Sequence, residues 1–127
     1  MRYITDAPNA PKAIGPYSQA VVCGDFAFLS GQVSLDAETG QLVGGDIKVQ
    51  TRQVLKNLSA VLAALGLNFS NVVKSTIFLT DLGNFSAVND IYSEALAGVK
   101  PARATVQVAG LPKGAAVEIE MIAWLRS

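Results

Sequence analysis

Helical spacing appears in only two stretches of this chain, and that restricts its architecture more than any other feature. From Ile47 to Leu65, Val54, Leu58, Val61 and Leu65 recur at helical intervals, with Leu55 and Leu62 widening the apolar stripe. Asp46 is placed to cap the start of this helix and Gly66 to end it. A second helix, roughly Phe85–Ala97, turns Val88, Ile91, Tyr92 and Ala95 inward and stops at Gly98. The other apolar runs read as strands. Ala20–Cys23 and Phe26–Ser30 flank Gly24-Asp25, a two-residue hairpin signal. Val72–Leu79 is rich in β-branched residues, and two last strands lie near Arg103–Ala109 and Ala115–Leu125. The order is strands, helix, strand, helix, two strands. Two helices can cover only one face of one sheet, which predicts a two-layer α+β sandwich. Right-handed crossovers around a split β-α-β unit give it a ferredoxin-like arrangement.

A length of 127 residues suits a single domain spanning 1–127. Half the residues are hydrophobic and 16% are charged, few for a monomer of this size. The last strand supports the same concern. Val117, Ile119, Met121, Ala123 and Leu125 point one way; Ala116, Glu118, Glu120, Ile122 and Trp124 point the other. A face that mixes a tryptophan and an isoleucine with two acids suits contact with another subunit. Ten basic residues balance ten acidic ones without a basic block, which argues against a nucleic-acid partner. With no histidine, a Ser-His-Asp triad, a Cys-His dyad and imidazole metal sites are excluded. The single Cys23 allows no internal disulfide and reads as structural. There is no apolar run of membrane-spanning length and no signal-peptide pattern, so a soluble cytoplasmic protein is expected. The turn-rich segment 34–46 begins like a calcium loop at Asp36. It has Gln41 where that loop needs glycine and Ile47 where it needs glutamate, so it is discarded as one.

Few residues remain that could carry chemistry. Arg103 opens a strand; its odd-numbered companions are Thr105, Gln107 and Ala109, while Ala104, Val106 and Val108 are small, apolar and expected to face the core. A guanidinium there is either half of a structural ion pair or a forked anchor for a small carboxylate. Glu118 and Glu120 are either solvated acids or, for one of them, a base near a cationic anchor. Tyr17 follows a Gly-Pro turn and could be packed or ligand-facing. In Ser30-Gly31-Gln32, Gly31 serves a turn or the close approach of a ligand. Asn89, among apolar helix positions, needs a partner.

Taken together, IGPYSQA (14–20), FLSGQV (28–33), TGQLVGGDIKVQT (39–51), VLKNL (54–58), VVKSTIFLTDL (72–82), FSAVNDIY (85–92) and PARATVQVAGLPKGAAVEIE (101–120) resemble the Rid family, the reactive intermediate deaminases or YjgF/L-PSP proteins, of the RidA-like kind. The last segment is similar to the family signature. The resemblance implies a chorismate-mutase-like fold with two helices on one face of a mixed six-stranded sheet, assembled as a homotrimer with clefts between subunits. It implies hydrolysis of 2-imino acids such as 2-iminopropanoate and 2-iminobutanoate to 2-oxo acids and ammonia, without cofactor or metal, protecting pyridoxal-phosphate enzymes from enamine damage. By the same resemblance, Arg103 binds the substrate carboxylate and Glu118 activates the water. Tyr17, Ser30, Gly31 and Asn89 line the cleft. Thr105 stands where well-known members carry cysteine, and the family uses the backbone carbonyl there. A non-catalytic trimer that binds small carboxylates or acts as a chaperone-like partner is the main alternative, and ribonuclease activity a second.

Overall fold

The computed structural model describes residues 1–126. Six strands and two helices run in the order β1 (Arg2–Ile4), β2 (Ala20–Cys23), β3 (Phe26–Gln32), α1 (Ile47–Ala64), β4 (Val72–Leu79), α2 (Phe85–Leu96), β5 (Ala102–Gln107) and β6 (Val117–Trp124). The sheet order is β1-β2-β3-β6-β4-β5. Only β4 and β5 run parallel; every other neighbouring pair is antiparallel. This is the expected α+β sandwich, with a mixed six-stranded sheet. Among the described residues no helix is long and apolar enough to cross a membrane.

Both helices lie on one face of the sheet. The side chain of Asp46 accepts from the Val49 N–H at 3.0 Å and starts α1, while Gly66, at φ 73°, follows the helix's end. Val54, Leu58, Val61 and Leu62 of α1 and Val88, Ile91 and Tyr92 of α2 are buried with Ile77, Leu79, Val117, Ile119 and Met121 of the sheet. That apolar burial between the layers is the main driving force of the fold. The central position of β6 means that the last strand closes the sheet between β3 and β4.

Buried amides then position the loops. Asn57, fully buried on α1, donates to the carbonyls of Val33 (3.2 Å) and Leu35 (2.9 Å) and accepts from Gln53. It fixes the chain that leaves β3. Gln19 accepts from the Ala7 N–H at 2.8 Å and donates to the Pro11 carbonyl at 2.6 Å, holding the N-terminal segment against the domain. Asp36 accepts from the N–H groups of Glu38 and Thr39, both at 2.9 Å, which lowers its pKa and closes a tight turn.

Two expectations need correction, and one strand went unread. The short β1 gave no readable signal; it is three residues long and pairs with β2. The orientation of β5 is inverted. Ala104 and Val106 are exposed and do not face the core, because β5 is an edge strand whose other face, with Arg103, turns toward α2. Cys23 is exposed at the end of β2 and packs in no core.

Candidate active site

The two residues with the clearest chemistry lie on opposite faces of the sheet. In the register of the strands, Arg103 lines up with Ser75, and Ser75 with Met121, on the helix-covered face. Glu118 lines up with Phe78, and Phe78 with Val106, on the open face. A single chain therefore keeps the two groups apart.

The cluster under α2 is built around the guanidinium. Arg103 donates to Asn89 Oδ1 at 2.8 Å, and its guanidinium carbon lies 5.1 Å from the Tyr92 ring centre and 5.6 Å from that of Phe85. Tyr92 is itself fixed by donating to Ser75 Oγ at 2.8 Å. Asn89 thus finds the partner that its place on α2 demands. No carboxylate pairs with Arg103 among the described residues; the ion pair seen there joins Arg126 to Asp25 at 3.1 Å. The guanidinium is stacked, oriented and exposed, with donors left over for an anion. Gln107, on the same strand, accepts from the Leu82 N–H at 2.9 Å and ties β5 to the turn before α2.

The group around Glu118 is a cavity of about 440 Å³ whose walls include Tyr17, Ser30, Gly31 and Glu118, with Lys12 and Lys113 also on the lining. The pairing of β3 with β6 shifts register between Leu29 and Gln32, which re-aims Ser30 and Gly31 toward this cavity. Gly31 leaves room for the Glu118 carboxylate to come close. A Cβ there would collide with a carboxylate oxygen of Glu118 and sit 2.9 Å from its Cδ. Ser30 donates its hydroxyl proton to the Ser18 carbonyl, so it shapes the wall by joining β3 to the Tyr17 loop. Half-burial raises the pKa of Glu118, and the nearby Glu120 raises it further. A carboxylate so placed holds a proton at higher pH than an ordinary glutamate, which suits a group that takes and returns one.

Tyr17, Ser30, Gly31 and Glu118 are therefore brought together, as are Asn89, Arg103 and Thr105, but the two groups do not meet within one chain. The two lysines escaped the sequence reading. Lys113 has a left-handed backbone (φ 58°) and donates to the Gly40 carbonyl at 3.2 Å, so it holds the 34–46 loop to the cavity's edge. Its position between Pro112 and Gly114 was the one available signal. Among the described residues no three acidic, cysteine or histidine side chains gather closely enough to hold a metal ion.

The chain is similar to known proteins over nearly all of its length. The family model described as endoribonuclease L-PSP matches residues 7–125. Protein DfrA of Myxococcus xanthus is 59% identical over 117 residues, covering 91% of this chain and 89% of that protein. The 2-iminobutanoate/2-iminopropanoate deaminase of Mus musculus is 50% identical over 123 residues, covering 97% and 90%. The crystal structure of E. coli TdcF with bound serine superposes with a TM-score of 0.91 at 40% identity, covering 99% of this chain and 100% of that one. Fold and sequence agree: the chain belongs to the endoribonuclease L-PSP family, the Rid family that its segments resemble.

Proposed function

We propose that this protein is a 2-iminobutanoate/2-iminopropanoate deaminase that acts in the cytoplasm as a homotrimer, with Arg103 of one copy facing Glu118 of the next. The observation that carries the reading is the guanidinium of Arg103, stacked on Tyr92 and held by Asn89, with no carboxylate paired to it among the described residues. Mouse and other mammalian relatives that bear the deaminase name support it, as does serine in the TdcF structure, a ligand with a carboxylate and an amino nitrogen. The open sheet face also supports assembly. Phe26, Phe28, Val106 and Trp124 are each 40% exposed or more, an apolar surface that monomers seldom leave in water.

The mechanism follows from these groups. Arg103 forks onto the carboxylate of R–C(=NH₂⁺)–COO⁻ and fixes the imine carbon. Water adds to that carbon as Glu118 removes its proton, and the C=N pair moves onto nitrogen. Glu118 returns the proton to the amino group of the adduct. The C–N bond breaks, the departing ammonia takes the hydroxyl proton, and the products are R–CO–COO⁻ and ammonium. The iminium is already electrophilic, so the protein supplies orientation and a proton relay.

The experiment is an imine-trapping assay. Threonine dehydratase generates 2-iminobutanoate from threonine in the presence of semicarbazide, and semicarbazone formation is followed. The wild type is expected to suppress trapping. Arg103→Ala should lose this by a factor on the order of 10² to 10³, the effect of losing one charged, bidentate partner of about 3–4 kcal/mol. Full suppression by the variant would remove Arg103 from the site. The family's endoribonuclease description gives a second reading, tested on the same samples. RNA cleavage that survives stringent purification and falls with Arg103→Ala would favour it over the deaminase.

A further inference from the structure

Ser75 is a polar residue where the fold alone would favour an apolar one. It is fully buried on the helix-covered face of β4, on the same side as Ile77 and Leu79 and beside Met121 of β6. A hydroxyl taken into such a core costs free energy unless it is bonded, and alanine there would avoid the cost. Its partner is the hydroxyl of Tyr92, which donates to Ser75 Oγ at 2.8 Å. The place of this buried pair is informative. Ser75 lines up with Arg103 across β4 and β5. The ring of the same Tyr92 lies 5.1 Å from the carbon of the Arg103 guanidinium.

We propose that Ser75 is a positioning residue for the reaction: through Tyr92 it pegs α2 in one place over Arg103 and so aims the guanidinium. This rests on the deaminase reading above. Two side-chain hydrogen bonds tie α2 to the sheet among the described residues, Tyr92 to Ser75 and Asn89 to Arg103. Asn89 and Tyr92 are three apart on α2 and share one face of it. The rest of the buried face of α2 is apolar, made of Val88, Ile91 and Leu96. Apolar packing accepts small slides with little loss of stability, whereas a hydrogen bond weakens steeply when misaligned. The buried bond therefore gives the helix a direction that its apolar contacts do not. A slide of α2 would carry Asn89 and the Tyr92 ring together, and both contacts that aim Arg103 would shift with them. Arg103 is exposed on an edge strand, so those contacts set its pose. A guanidinium out of line loses its fork on a small carboxylate and misplaces the imine carbon.

The test compares Ser75→Ala, Ser75→Thr and the double variant Ser75→Ala/Tyr92→Phe with the wild type. Each is taken through the trapping assay, a thermal melt and the heteronuclear NOE of the Arg103 Nε–H, a signal assigned by its loss in Arg103→Ala. Ser75→Ala strands the buried Tyr92 hydroxyl, so Tm and kcat/KM should fall together. The double variant removes both polar groups while keeping the ring, so its Tm should return close to that of the wild type. Its kcat/KM should nevertheless stay about tenfold down, the worth of one hydrogen bond, with a lower NOE from a less ordered guanidinium. Ser75→Thr keeps a hydroxyl and should recover most of the loss. A double variant whose kcat/KM recovers along with its Tm makes the pair merely structural and overturns the proposal, as does a threonine variant as impaired as the alanine one. Failure of the deaminase reading is seen separately, as an inactive wild type. The NOE then decides: a lower value in the double variant than in the wild type supports the peg, and equal values overturn it.

Discussion

Glu118 is asked to give up a proton in surroundings that make it hold one. Burial and Glu120 both raise its pKa above the ordinary value of 4.5. In the proposed mechanism it must be ionised to accept a proton from water, so kcat falls as pH drops through the raised pKa. The acid limb of the pH–rate profile is expected above the usual glutamate range, and Glu118→Gln should remove activity and limb together. The stability effect has the opposite sign. The folded chain binds this proton more tightly than the unfolded chain, so the contribution of Glu118 to stability declines as pH rises from the unfolded pKa through the folded one. Glu118→Gln should flatten that part of a Tm-against-pH curve. Gly31 belongs to the same contact. Gly31→Ala is expected to push the carboxylate aside and lower kcat by one to two orders of magnitude, on the order of 1.5–3 kcal/mol, with a folded spectrum retained. Wild-type kcat in a folded Gly31→Ala protein would remove the close approach from the mechanism.

At the scale of elements, what the sequence made legible follows its periodicities. The stripe of α1 was readable because one face is buried at an unbroken helical period, and β4 because it is rich in β-branched residues, although its alternation breaks at Val73 and Lys74, where its register with β6 shifts. Leu58, fully buried in the α1 stripe, should cost about 2–5 kcal/mol when changed to alanine, read as a lower midpoint in urea. β5 was alternating as expected but with its faces exchanged. Small apolar residues look alike whether they meet the core or an open sheet face, and only tertiary placement at the edge beneath α2 decides. β1 is too short to carry a period. Arg103 and Glu118 stood out because charged groups on apolar strands need a reason, but the residues alone left an ion pair and a solvated acid open, and their proposed roles came with the family resemblance. Their placement on opposite faces was not legible, since it depends on the register of β4 with both β5 and β6. Lys12 and Lys113 went unread because loops bring them to the cavity: Gln19 holds the segment next to Lys12, and Lys113 ties its own turn to the Gly40 carbonyl.

At the scale of the whole molecule, the two half-sites make a strong prediction. In the proposed trimer each site takes Arg103 from one copy and Glu118 from its neighbour. Arg103→Ala and Glu118→Gln chains, each inactive alone, should regain activity when refolded together. In random equal mixtures about a quarter of the seams carry both intact groups, so roughly a quarter of wild-type turnover is expected. No recovery in mixed trimers verified by mass spectrometry would place both groups in one chain's site.

In the proposed trimer, a sheet that keeps Arg103 and Glu118 on opposite faces also ties activity to abundance. At concentrations well below the assembly threshold, the number of working sites would rise as about the third power of chain concentration. A cell making little of this protein would hold folded but idle copies, and a modest rise in expression would turn them on together.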